Sequence, residues 1–147
     1  MIRNRSRLER VERVRSVEEE LARVRFSAAE ADARAAEALA DERRAAIAHA
    51  VDDLRGLQGT PSLAPAQVIA ALSCVDRARD MWRSAHERAL TLRFQAEELR
   101  AAWHERLKDK KGVSRLVERV ATAERLEAER DASNDMDETA ARRARYS

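Results

Sequence analysis

Between residues 68 and 103 an apolar residue returns at every step of an alternating three- and four-residue spacing. The series is Val68, Ala71, Val75, Ala78, Trp82, Ala85, Ala89, Leu92, Ala96, Leu99 and Trp103. Only an α-helix brings such positions onto one face, and five unbroken heptads read as the seam of a coiled coil. An earlier stretch keeps the same rhythm with Val14, Val17, Leu21, Val24, Ala28, Ala31, Ala35 and Ala38. After Ala38 this stripe changes phase and resumes at Ile47, Ala50, Leu54 and Leu57, a stutter that locally alters supercoiling. Composition agrees. Ala, Arg and Glu number 30, 26 and 17 of the 147 residues, whereas Gly and Pro number three and two. With 38% charged and 3% aromatic residues, the chain cannot fill a globular core but can line a narrow seam.

The turn-rich stretch is Gly56-Leu57-Gln58-Gly59-Thr60-Pro61-Ser62-Leu63-Ala64-Pro65, with two of the three Gly and both Pro. The expected fold is therefore all-α: two long helices in one antiparallel coiled-coil hairpin spanning residues 1–147. Residues 1–5 are expected to fray. Helix 1 covers 6–57, opened by the capping box Ser6-x-x-Glu9 and closed near Gly56, and the turn covers 58–62. Helix 2 covers 63–130, with Ser62 as N-cap and Pro65 in the first turn, where its missing N–H costs nothing. Gly112 is tolerated inside it, and residues 131–147 form a frayed acidic and basic tail. Folding about residue 59 or 60 sets residue i opposite about 119 − i. Trp82 then faces Ala35 and Ala38, Leu99 faces Leu21, and helix 2 overhangs helix 1 from about residue 114.

Several function classes fall away. No apolar run approaches a membrane span, and Met1 to Arg15 lacks the apolar block of a secretory signal. Cys74 is alone, which fits a reducing compartment, and the chain reads as cytosolic. No catalytic constellation, metal site or cofactor site is expected. His49, His86 and His104 are too far apart to converge and read as solvated helix-flank residues; Cys74, beside Val75, reads as a half-buried inert thiol. Nothing resembles a phosphate-binding loop, so neither an enzyme nor a small-molecule substrate is expected.

Two features exceed a generic hairpin. Near the turn the seam accounts for Val68, but Ile69 and Leu72 add a second stripe, and with Val51 and Leu63 they supply more apolar surface than a two-helix seam hides, as partner sites tend to. Charge is also sorted. Residues 1–15 carry six Arg against two Glu, and the opposed stretch 104–119 carries six cations against three acids. Residues 124–138 reverse this, with seven acids against Arg125 and Arg130. Either the acidic segment folds back over the basic end, or that end meets an acidic partner. Nucleic acid is not the expected partner, because no aromatics interleave the cations and the net charge is only +2.

Both ends carry a family resemblance. The run Arg7-Leu8-Glu9-Arg10-Val11-Glu12-Arg13-Val14-Arg15-Ser16-Val17-Glu18-Glu19 resembles the opening of the FliJ family of flagellar export proteins. The stretch from Glu124, through Glu127 and Glu129, to Met136-Asp137-Glu138-Thr139-Ala140-Ala141-Arg142-Arg143 is similar to that family's closing segment. The resemblance extends more distantly to YscO-type proteins of injectisomes and covers essentially the whole chain. It implies a hairpin like the stalk subunit of rotary ATPases, acting at the flagellar base on the inner face of the cell membrane. The paired termini would enter the pore of the hexameric export ATPase, with Arg7, Arg10, Arg13, Arg115 and Arg119 as the contacts. The tip, with Val51, Val68, Ile69 and Leu72, would meet the membrane export gate, and the hairpin would also bind export chaperones. The seam would be Val14, Val17, Leu21, Val24, Val75, Trp82, Leu92, Leu99 and Trp103. Competing readings are a generic coiled-coil scaffold or secreted helical hairpin, a basic nucleic-acid-associated hairpin, and self-association through an unpaired 114–130 overhang carrying Val117 and Val120.

Overall fold

The computed structural model describes residues 2–62 and 64–147. It contains two α-helices packed against each other, α1 (Ile2–Gln58) and α2 (Pro65–Tyr146), and no strand among the described residues. The chain is an all-α helical hairpin. It divides into two compact units. A hairpin unit spans Arg23–Ala102 and holds the turn, and a terminal unit joins Met1–Ala22 to Trp103–Ser147.

The helix ends differ from expectation in ways that follow from local chemistry. α1 runs from Ile2 through the stretch expected to fray, so Ser6 lies inside the helix and caps nothing; Glu9 instead accepts from Arg5 one turn earlier, at 3.1 Å. Gly56 stays helical without a positive φ, and α1 ends at Gln58, where Thr60 N–H donates to the Leu57 carbonyl. α2 opens at Pro65 rather than 63. Ala64, not Ser62, holds the cap position, its carbonyl accepting from Gln67 N–H at 3.0 Å. Pro65 as first helical residue loses no hydrogen bond, since that N–H has no partner in any helix. Leu63 lies outside the described residues. α2 passes through Gly112 unbroken and continues to Tyr146 rather than fraying at 131, supported by ion pairing of Arg142 with Glu138 one turn before it.

In the hairpin unit every α2 stripe residue from Val68 to Leu99 is buried or half-buried, with Val75, Ala85, Ala89 and Ala96 the deepest. Ala36 and Ala40 of α1 pack on Ala85 and Ala89, a contact made by four methyl-sized side chains. In the terminal unit the stripe continues through Trp103, Leu107, Lys110, Ser114, Val117 and Ala121 to Glu124, all half-buried.

On α1 the expected seam is overturned. Val14, Val17, Leu21 and Val24 are 56%, 65%, 49% and 57% exposed, and Ala28, Ala31, Ala35 and Ala38 are also exposed. The inward stripe is instead Phe26, Ala33, Ala36, Ala40, Ile47, Leu54 and Leu57 in the hairpin unit, and Leu8, Glu12, Glu19 and Ala22 in the terminal unit. The cause is helix phase. A continuous helix cannot change its inward face at a stutter without unwinding, and Ile47, Leu54 and Leu57 near the turn already fix that face. Carried back at helical spacing, their phase selects Ala40, Ala36 and Ala33 and leaves the Val14-to-Ala38 series outside.

The register shifts too. Cross-helix partners have residue numbers totalling 122 for Glu19 with Trp103 and up to 130 for Glu37 with Arg93, rather than 119. The link between the helices is six residues, 59–64, which moves the fold point beyond residue 60. Trp82 and Leu99 are consequently not aligned with Ala35/Ala38 and Leu21, all of which are exposed. Partners on α1 also reach further along α2. Ser114 donates to Glu12 at 3.3 Å and Arg5 pairs with Glu124 at 3.1 Å, while Val117 and Val120 are half-buried. The all-exposed stretch of α2 begins at Arg125, not 114.

Candidate functional site

The terminal unit contains an ion-pair ladder that accounts for some of its cations. Arg15 pairs with Glu18 at 3.1 Å and with Asp109 at 3.9 Å, and Arg106 reaches Glu18 at 3.2 Å. Glu19 is the one buried charged side chain among the described residues, at 6% exposure. Its Oε1 accepts from the Trp103 indole N–H at 3.0 Å, and Lys110 Nζ stands 3.6 Å from its Oε2. A carboxylate inside a seam persists only where such donors replace its water.

The ladder leaves other cations out, among them the five expected contacts. Arg7, Arg10 and Arg13 on α1 and Arg115 and Arg119 on α2 are all exposed, and among the described residues none forms an ion pair within 4.0 Å. The acidic segment of α2 does not cover them. Glu124 alone of its acids reaches the basic end, where its hydrogen bond raises the Arg5 guanidinium pKa, with Glu9 adding to the effect. Residues 125–138 remain helical and exposed. Of the two sequence alternatives, the folded-back acidic segment is therefore not what the chain adopts.

In the hairpin unit the tip residues separate into two kinds. Ile69 is 64% exposed and Leu72 48%, whereas Val51 and Val68 are half-buried in the seam. No family model, curated protein or solved structure matches the chain. Cys74 is exposed rather than half-buried, because it sits one residue before Val75 and points off the seam. His86 stacks on Trp82 with ring centroids 4.9 Å apart, and His104 on Trp103 at 5.2 Å. Among the described residues no group of His, Cys, Asp and Glu could hold a metal, and no helix is long and apolar enough to cross a membrane.

Sequence reasoning missed the strongest electrostatic cluster. Arg93 donates from Nη1 to Glu30 at 2.5 Å and from Nε to Glu37 at 2.6 Å, clamping α2 to two turns of α1. Arg34 adds a second donor to Glu30 at 3.1 Å. These contacts, Arg93 first, hold the Glu30 carboxyl below the ordinary carboxylate range against the opposing effect of burial. A depressed carboxylate pKa stabilises the fold above its unfolded value and loses that contribution as pH falls through the folded one. The melting difference between wild type and Arg93→Gln is expected to be present at neutral pH and to be lost as pH falls through the depressed pKa of the Glu30 carboxyl. Thermal melts across that range check it, and a difference independent of pH would contradict the clamp. The signal available in the sequence was the placement of Glu30 and Glu37 one heptad apart.

Proposed function

We propose that this chain is a coiled-coil stalk of the bacterial flagellar type III export apparatus, a non-enzymatic part whose action is mechanical. Its terminal unit binds the hexameric export ATPase. Its turn end engages the membrane export gate through Ile69 and Leu72, with Val51 and Val68 supporting them from the seam, and the hairpin binds export chaperones. The protein works peripherally on the inner face of the cell membrane, coupling ATPase assembly and turnover to gate opening. The observation that carries this reading is that Arg7, Arg10, Arg13, Arg115 and Arg119, on both segments of the terminal unit, are exposed and form no ion pair among the described residues, beside cations already satisfied within the chain. It is joined by the resemblance of both chain ends to the FliJ family. Unpaired cations on a stiff support raise association with an acidic pore and lose that advantage as salt screens it.

The test is titration of the full chain into a cognate export ATPase, following hexamer formation and ATP turnover. Wild type is expected to stimulate both at ratios below one chain per subunit. A variant with Arg7→Glu, Arg10→Glu and Arg119→Glu is expected to bind at least about tenfold more weakly with unchanged helicity by circular dichroism. No effect of wild type on the ATPase would sink the stalk reading. Undiminished binding by the variant would show that the basic end is not the contact.

A further inference from the structure

In the terminal unit α1 turns Leu8, Glu12 and Glu19 inward and leaves the opposite face to solvent. At 100° per residue, Arg10, Val14, Val17 and Leu21 fall within a sector of about 60° on that outer face, and Arg7 and Arg13 stand about 20° and 40° outside its two edges. All six are exposed. The acids of the same stretch are engaged elsewhere. Glu9 accepts from Arg5, Glu12 from Ser114, Glu18 from Arg15 and Arg106, and Glu19 from Trp103. Glu20 is also engaged within the chain and lies about 60° outside the sector. The outer face therefore presents guanidinium groups and hydrocarbon with no carboxylate between them.

We infer that this face lies on an anionic phospholipid surface, with Arg7, Arg10 and Arg13 at the headgroup phosphates and Val14, Val17 and Leu21 at the upper ends of the acyl chains. Cations beside exposed aliphatic side chains on one helix face are what an anionic bilayer surface takes up. The arginine stems are long enough to keep their charges among the headgroups while the shorter aliphatic side chains sink below them. The charges bordering the sector have the same sign on both sides, which argues for a uniformly anionic surface. A partner helix in a coiled coil is selected by flanks of both signs, and a second copy would bring arginine against arginine. A nucleic-acid backbone would match the arginines but leave Val14, Val17 and Leu21 without a counterpart. From Arg7 to Leu21 the contact is only about 21 Å long, so binding is reversible and weakens as salt screens the charges. The inference needs only this chain and a lipid surface and does not rest on the export reading.

Co-sedimentation of the full chain with vesicles tests it, using phosphatidylglycerol and phosphatidylcholine in equal parts against phosphatidylcholine alone. Wild type is expected to bind the mixed vesicles at least about tenfold more tightly than the neutral ones, and to be released as salt rises from about 0.05 M to about 0.5 M. Arg7→Glu/Arg10→Glu/Arg13→Glu is expected to bind the mixed vesicles at least about tenfold more weakly. Val17→Gln/Leu21→Gln, at unchanged charge, is expected to bind them at least about fivefold more weakly. Both variants are expected to keep wild-type helicity and melting temperature. Val17 and Leu21 are not among the proposed ATPase contacts, so this second variant separates lipid binding from the export reading. Wild type that stays free of the mixed vesicles at low salt would overturn the inference and leave the face to an acidic protein. Equal binding to both kinds of vesicle would overturn it, as would undiminished binding by either variant. Loss of helix in the Val17/Leu21 variant would place those residues inside the hairpin, which also overturns it.

Discussion

Ala89→Asp is expected to lower the melting temperature by roughly 10 °C, and Ala28→Asp by only about 2 °C. Ala89 is 5% exposed and packs with the methyl groups of Ala36, Ala40 and Ala85. Aspartate there is too short to carry its carboxylate to water, and Arg93 one turn on is already engaged by Glu30 and Glu37. Burying it costs about 3 kcal/mol beyond the propensity difference of about 0.6 kcal/mol that any Ala-to-Asp change in a helix carries. Ala28 is exposed, so the second substitution carries the propensity difference alone. Thermal melts by circular dichroism at equal concentration compare the two. Equal losses would mean that both faces of α1 are engaged equally.

Glu19→Ala should produce the second large loss, about 2 kcal/mol, where Glu127→Ala on the exposed part of α2 changes stability by less than about 0.5 kcal/mol. Glu19 is buried, and its removal leaves the Trp103 indole N–H without its acceptor and Lys110 without its partner. Trp103→Phe removes the same hydrogen bond from the other side. A double-mutant cycle over Glu19→Ala and Trp103→Phe is expected to show a coupling of about 1 kcal/mol. Additive losses would place the two side chains in separate environments.

How much of this was legible beforehand differs sharply between the helices. The α2 stripe from Val68 to Trp103 has one period and one phase, so a single helical face answers for all of it, and that face is the one packed. α1 carries two competing stripes in different phases, Val14 to Ala38 and Ile47 to Leu57. Periodicity alone favours the longer and more apolar of them. Tertiary structure selects the other, because the turn lies next to Ile47 and Leu57 and because Ala33, Ala36 and Ala40 admit a closer approach than valines do. The buried Glu19 and the Arg93 clamp were illegible for the same reason: each becomes a partner only once the phase and register of α1 are known. The charge sorting at the termini could be read from the sequence, but not which cations the chain itself satisfies. Separating Arg15 and Arg106 from Arg7, Arg10, Arg13, Arg115 and Arg119 needed the geometry of Glu18 and Asp109.

Which face of α1 meets α2 decides the packing of the hairpin, and thiol accessibility reads that face directly. In a background with the exposed Cys74 changed to Ser, single cysteines at Ala28 and Ala33 sit on nearly opposite sides of one short stretch of α1. Ala33 is fully buried and Ala28 is exposed. Ala28→Cys is expected to react with a neutral alkylating reagent as fast as the unfolded chain does, and Ala33→Cys at least about a hundredfold more slowly, limited by opening of the hairpin. The reverse order, with position 28 protected and position 33 fast, would contradict the account.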